Sequence, residues 1–510
     1  MPQKPFTGSS LVLITIGLSL GTFMQVLDTS IANVSIPAIA GDLAASPNQG
    51  TWVITSFAVS NAIMLPLTGW LARRIGEVRL FVMATTVFTI ASWLCGLATN
   101  LPMLIAFRVL QGAVAGPLIP LSQSLLLANY PPHKKGMALA LWSMTVIIAP
   151  IFGPILGGWI TDNISWPWIF YINIPVGFVS ALVTWQLLRD RDTPTVRNPI
   201  DSVGLVLLVV GVGCLQILLD KGNEMGWFDS SFITMLMVIS TVALAFFIVW
   251  ELTEEHPIVD LHLFRHRNFA IGTIVLSLAY LTFFGNVVIL PLWLQTQMEY
   301  TATWAGLAAA PIGLLSLVFS PIIGHYIHRI DVRYLATTAF LIFAGVSFWT
   351  SGFNTDITYA DLFWPRFIQG IGVACFFVPL TSMSLSDLAP RELASGAGLS
   401  NFTRILAGSF GTSLSITLWD RRGDLHYSQL VEHINNANPL AHQAIDHLQS
   451  LTGSAEAGLD LLSRLINRQA VMLATDDIFW LSGCIFMALI ALLWFARPAG
   501  HAAGAPGGAH

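Results

Sequence analysis

The 510 residues carry a formal net charge of -5; only 10% are charged, 55% are hydrophobic, and the mean hydropathy is +0.70. So little charge excludes a soluble globular chain of this length, and with no basic block it also excludes a nucleic-acid binder. The apolar runs are continuous and not alternating, so the lipid bilayer is crossed by helices and not by a barrel.

Fourteen apolar stretches predict an all-α membrane protein, at about 11–34, 51–72, 80–98, 102–127, 137–160, 167–188, 202–220, 232–253, 270–294, 304–327, 334–352, 362–385, 394–418 and 477–496. The N-terminal MPQKPFTGSS has one lysine and no small-residue cleavage site after it, so the first stretch reads as a membrane helix and not a removed signal. That stretch contains TFMQVLDTSIANVSIP, and its Asp28 is the one carboxylate well inside any predicted span. A carboxylate at membrane depth is costly unless paired, wet or protonated. Asp28 is therefore either a group for proton coupling or substrate charge recognition, or a fixed hydrogen-bond partner.

The second span ends in GWLARRIGEVRL, where Gly69 and Gly76 bracket a basic turn with Arg73. That turn is either a latch against neighbouring helix ends or a solvated loop. The fourth span reads RVLQG: Arg108 cannot lose its proton, so it acts as a fixed charge and five-donor fork, with Gln111 one turn along. In the fifth, APIFGPILGG places Ala149, Gly153 and Gly157 four apart, with Gly158 beside them, while Pro150 and Pro154 remove backbone donors. A bent helix with a smooth face is a gate or a packing helix. Asn33, Gln111, Phe23, Trp142, Phe284 and Trp293 are candidates for a substrate cavity, although aromatics at helical spacing also serve as packing or interface anchors.

Further along, Arg366 lies in RFIQG and Arg404 within the thirteenth span. The four cysteines fall in apolar spans without metal-ligand spacing and read as small hydrophobes. Residues 419–475 form a long outer loop with two helical segments, either docking a partner or capping the bundle, and its four histidines read as surface residues with no metal site.

RVLQG at 108–112 recurs as RFIQG at 366–370, an offset of 258, and Pro132/Pro390, Ala149/Ala407 and Gly153/Gly411 keep the register. Two six-helix halves, 1–188 and 270–510, therefore flank a two-helix insert within 189–269. Duplicated halves place a cavity between them near the midplane. Basic residues crowd one set of short loops, such as Arg73, Arg74, Arg79, Lys134, Lys135, Arg189 and Arg191, while the other short loops hold only Lys221. That bias puts both termini in the cytoplasm of a multi-pass inner-membrane protein.

Taken together, the 69–80 segment, RVLQG with Gly116 and Pro117, GPILGG, and LDTSIANVSIP resemble the major facilitator superfamily, in its 14-helix drug:proton antiporter group. GTWVITSF, GPLIPLSQSLLL, PIVDLHLF, YTATWAGLA and the ending GGAH resemble EmrB-type exporters. The resemblance implies a major facilitator fold and export of hydrophobic, often weakly acidic toxic compounds in exchange for protons. It further implies a tripartite pump with an EmrA-type periplasmic adaptor and a TolC-type outer-membrane channel. Carried over by position, Asp28 and Arg108 are the coupling pair, and Gly153, Pro154 and Gly157 belong to the antiporter helix. Arg73 stands where the superfamily loop commonly has an aspartate, so the usual latch cannot operate there, and Trp166-Pro167-Trp168 replaces the usual Trp-Arg-Trp. Related fatty-acid exporters share these motifs. A nutrient symporter is the next alternative; a membrane enzyme or sensor would need a nucleophile–base pair or metal cluster that the spans lack. No phosphate-binding G-x-x-x-x-G-K-[ST] loop occurs, so the expected driver is a proton gradient, without cofactor or ATP.

Overall fold

Inside lipid a backbone must satisfy its own hydrogen bonds, so long apolar runs close into helices. The computed structural model describes residue 6 and residues 8–45, 47–131, 134–196, 201–255, 257–327, 329–434 and 438–497, and no strand occurs among them. Fourteen helices make the bundle: α1 (Ser9–Asp42), α2 (Trp52–Ile75), α3 (Glu77–Gly96), α4 (Leu101–Asn129), α5 (Lys135–Asn163), α6 (Trp168–Arg191) and α7 (Ser202–Lys221), then α8 (Ser231–Thr253), α9 (Arg267–Gln297), α10 (Trp304–Tyr326), α11 (Val332–Thr350), α12 (Tyr359–Leu385), α13 (Leu393–Glu432) and α14 (Ala455–Leu493).

Twelve are apolar spans without a sharp bend, and α5 is a thirteenth bent by 43° between Lys135–Pro150 and Ile155–Asn163, where two prolines interrupt the hydrogen-bond ladder. The fourteenth, α13, is poor in apolar residues because it buries Ser395, Ser400, Asn401, Arg404 and Ser413 against other helices instead of facing lipid. In the first six helices α1 packs on α5 and α6; in the last six α9 packs on α13 and α14. The helices α7 and α8 pair with each other, and α7 docks against both α2 and α13. Ser240 of α8 donates to the Gly211 carbonyl of α7 at 3.1 Å, a polar tie between two otherwise apolar rods.

The end of the bundle that carries Arg73, Arg79 and Lys134 is called here the basic end, and its opposite the far end. At the far end the structure corrects the expected loop. α13 continues to Glu432, a helix Pro439–Thr452 packs on α14, and α14 starts at Ala455, so the segment 419–475 is mostly the extension of two spans. At 40 residues α13 is about 60 Å long, twice the ~30 Å hydrocarbon core. The two extensions are stitched together: Trp419 Nε1 donates to Thr475 at 2.8 Å, and Asp477 takes both Arg422 at 2.6 Å and His426 at 2.7 Å. His426 is thus packed between helices and is not a plain surface residue, whereas His433, His442 and His447 are exposed.

Candidate functional site

Five helices of the first half converge on Asp28. Its carboxylate is wholly buried, as are Arg108, Gln111 and Ser92. Arg108 Nη1 donates to Asp28 Oδ2 at 2.5 Å, and the other oxygen accepts from Gln111 Nε2 at 3.1 Å and Asn173 Nδ2 at 2.9 Å. Ser92 of α3 takes a second proton from Gln111 at 2.6 Å and one from Asn173 at 3.2 Å. Arg108 also donates to the Val53 carbonyl at 3.0 Å and to Gln111 Oε1 at 2.7 Å, with its guanidinium 4.2 Å from the Phe57 ring centroid. Among the described residues, each side-chain polar group that touches the carboxylate is a donor. Counting seven residues from the far end of α4, Arg108 lies about 10 Å inside it.

The second half repeats the arginine–glutamine pair of this network without its carboxylate. The 258-residue offset puts Asn286 where Asp28 stands, and Asn286 Oδ1 accepts from Ser482 Oγ at 2.8 Å. Arg366 is buried like Arg108, but its bonded partner is Gln369 Oε1 at 2.6 Å, and no carboxylate pairs with it among the described residues.

Between the halves the basic end is closed. Gly69 of α2 meets Ser395 of α13 so tightly that a Cβ there would sit 2.6 Å from the serine Cα, and Arg73 Nη1 donates to Ser395 Oγ at 2.8 Å. Arg73 thus reaches across to the other half. The acid that the loop lacks at that position comes from beyond α6: Asp192 accepts from the Val78 amide at 2.9 Å and pairs with Arg79 at 3.3 Å. Gly76 turns the chain there with φ 100°, a conformation that a side chain resists.

On α5, Gly153 and Gly157 press on α1: a Cβ at Gly153 would lie 2.4 Å from Ser30 Cβ, and one at Gly157 2.8 Å from Ile31. Ala149 is buried on the same face, Gly158 stands off Val34 at 3.9 Å, Pro150 is exposed, and the side chain of Pro154 lies outside the described residues.

The other expected cavity residues separate. Asn33 follows Asp28 by five residues, about 140° around the helix, and is exposed instead of joining the network. Trp293 is fully buried in an apolar cluster with Ile289, Leu294 and Phe479, away from the interface between halves. Phe23 is half-buried, and Phe284 stacks on Tyr280 with centroids 4.2 Å apart. Trp142 alone of the four aromatics lines a small cavity between the halves, with Gln123, Phe377, Thr381, Asn401 and Arg404. Its Nε1 donates to Ser122 at 2.8 Å and to Thr22 of α1 at 3.1 Å. Asn173, Ser92, Asn401 and Tyr280 did not emerge from the sequence; an asparagine in an otherwise apolar span was the available signal for two of them.

The profile of the Major Facilitator Superfamily matches residues 18–412. The multidrug export protein EmrB of Escherichia coli strain K12 is 54% identical over 509 residues, covering 100% of this chain and 99% of that one. The fatty acid resistance protein FarB of Neisseria gonorrhoeae is 50% identical over 504 residues, covering 99% of each. Among solved structures, the proton:xylose symporter XylE aligns with a TM-score of 0.60 at 14% identity, over 97% of this chain and 98% of that one, which shows the shared fold.

Proposed function

The chain belongs to the major facilitator superfamily and, within it, to the EmrB-type multidrug exporters, and on that footing we propose that it exports hydrophobic, often weakly acidic toxic compounds in exchange for protons. The observation that carries the exchange is the Asp28 site. Once protonated, Asp28 carries an O–H that needs an acceptor, but Arg108, Gln111 and Asn173 all present donors to its oxygens. Loading therefore requires this network to open, and closing it again expels the proton. With the basic end shut by Arg73 on Ser395, the helices of the two halves can part only at the far end. A membrane potential of roughly 100 mV supplies about 2.3 kcal/mol per charge moved, and a pH gradient adds to it.

Both termini lie in the cytoplasm in this reading, by the distribution of lysine and arginine, and the host membrane is a bacterial inner membrane. The extensions of α13 and α14 with the helix Pro439–Thr452 then face the periplasm. They are placed to meet an EmrA-type adaptor, which would lead to a TolC-type outer-membrane channel. Leu440, Leu451 and Leu459 are exposed there, as a partner-binding surface needs. The 50% identity to a fatty acid resistance protein favours one second reading, in which long-chain fatty acids are among the exported acids.

The test is proton release from liposomes holding the purified protein, on adding hydrophobic weak acids, for wild type and Asp28→Asn. Substrate-driven release in the wild type that is lost in the variant, with binding retained, is the expected result. Unchanged release in Asp28→Asn would remove Asp28 from the exchange, and movement in the symport direction would sink the exporter reading.

A further inference from the structure

A second buried cation lies at the seam between the halves, and the proton site does not use it. Arg404 of α13 is only 4% exposed. It stands eleven residues from the basic end of its helix, which is about 16 Å into a core of ~30 Å. Its neighbours are neutral: Nη2 donates to Asn401 Oδ1 at 2.6 Å, and the guanidinium sits 4.6 Å from the Tyr280 ring centroid. No carboxylate pairs with it among the described residues, in contrast to Arg108. A guanidinium offers five N–H donors, of which Asn401 and the Tyr280 hydroxyl take only part among the described residues, and a buried cation without a counter-ion is expensive to keep.

Fold requirements do not explain it. Arg366 is inherited with the repeat, since it occupies the place of Arg108 within its own half. Arg404 has no such counterpart, because the 258-residue offset leads to Val146. Arg404 also lines the cavity between the halves, whose other walls include Trp142 and Phe377. Tyr280 beneath it continues into Phe284 by stacking at 4.2 Å and into Phe377 by an edge contact at 6.1 Å. A cation set on a run of aromatic rings matches a ligand with an anionic head and an apolar body.

We propose that Arg404 is the anion-binding point of the transport cavity, taking the carboxylate, phenolate or sulfonate of an amphiphilic substrate while its apolar body lies against Trp142 and Phe377, which line the same cavity. This rests on the exporter reading above and names the group that selects its substrates. The same contact reaches the seam. Asn401, which holds Arg404 through its carbonyl, donates from its amide to Gln123 Oε1 of α4 at 2.7 Å and so ties α13 to the first half. An anion that draws the guanidinium away from Asn401 loosens that tie, so occupancy of the cavity bears directly on the separation of the halves.

The experiment compares 8-anilinonaphthalene-1-sulfonate with N-phenyl-1-naphthylamine, which has the same rings without the charge. Binding to the full-length protein in nanodiscs is read by energy transfer from tryptophan, for wild type, Arg404→Gln and Arg404→Lys. Arg404→Gln is expected to weaken the sulfonate about tenfold or more, the loss of a charge-assisted contact, and the neutral amine by no more than about twofold. Arg404→Lys, which keeps the charge but not the fork, should fall between. Equal losses for both probes would make Arg404 a structural clamp, and an unchanged sulfonate affinity would overturn the assignment outright. Selectivity lost in the variant while proton release continues with other drugs supports Arg404 as the anion point of a working exporter. Selectivity unchanged while proton release continues rejects Arg404 alone. No proton release from the wild type with any compound counts against the exporter reading, and the binding result then still decides Arg404 by itself.

Discussion

Breaking the buried pair from one side should cost more than removing it whole. Asp28→Asn leaves Arg108 charged in a site where neither side chain meets solvent. Removing one member of a buried pair costs about 3–5 kcal/mol in general. Here the lower figure is expected, because Arg108 keeps the Val53 carbonyl at 3.0 Å, Gln111 at 2.7 Å and the Phe57 ring at 4.2 Å. The second half already holds such a cation, Arg366, which rests on Gln369 with no carboxylate paired to it among the described residues. Asp28→Asn is thus expected to lose about 3 kcal/mol of stability. The double variant Asp28→Asn/Arg108→Gln removes the stranded charge and should recover about 2 kcal/mol of it, a coupling well above the scatter of independent sites. Unfolding in mixed micelles of sodium dodecyl sulfate and dodecyl maltoside measures both, while liposome proton release should stay absent in both. A double variant no more stable than Asp28→Asn would refute the reasoning, because the cost would then not be that of an unpaired charge.

Three further outcomes follow from the helix contacts. Gly153→Leu puts its Cβ 2.4 Å from Ser30 Cβ, so α1 and α5 must part. A loss of about 1–3 kcal/mol and impaired export are expected, with thermal unfolding as the check. Arg73→Ala removes the 2.8 Å bond to Ser395 and about 1 kcal/mol of closure at the basic end. Distances between spin labels on the basic ends of α2 and α13 should then shift toward the open state, and an unmoved distribution would deny Arg73 a role in closure. Asp192→Ala unties the Val78 amide and Arg79, and should cost about 1–2 kcal/mol in thermal unfolding at the turn between α2 and α3.

Much of the architecture was legible because hydropathy and charge bias are properties of single positions summed along a span. Run length gave the spans, and the repeat gave the relation of α4 to α12. The far-end segment misled because α13 and α14 change from apolar to polar composition without changing conformation, and hydropathy marks where lipid ends, not where a helix ends. Asp28, Arg108 and Gln111 stood out as polar residues at membrane depth. Ser92 and Asn173 did not, since small polar residues are frequent in spans and only a neighbour in space gives them a task. Asn33 illustrates the converse: proximity in sequence to Asp28 placed it on another face. Arg73 reads as a broken latch in one dimension, and only the fold brings Asp192 to the turn and Ser395 to the arginine.

The proposed proton and anion sites attract each other electrostatically, since a proton on Asp28 and an anion on Arg404 carry opposite charges. Direct charge interaction would therefore favour binding both at once, which is the behaviour of a symporter. Exchange demands that one disfavour the other, and so the coupling has to run through the position of a shared helix. α1 is that helix. It carries Asp28 and, six residues or about 9 Å earlier, Thr22. Thr22 Oγ1 donates to Ser122 at 2.9 Å, and both hydroxyls accept from Trp142 Nε1. The Trp142 side chain lines the cavity that Arg404 shares. A displacement of α1 when Asp28 loads its proton therefore reaches the cavity wall through one indole. Trp142→Phe keeps the ring and removes both hydrogen bonds, about 1–2 kcal/mol of connection. Substrate affinity is expected to change by no more than about threefold, since the aromatic wall remains, while protons released per substrate exported fall. A proton yield equal to the wild type would show that α1 communicates with the cavity by another route, and a loss of affinity matching the loss of yield would make Trp142 a binding residue only.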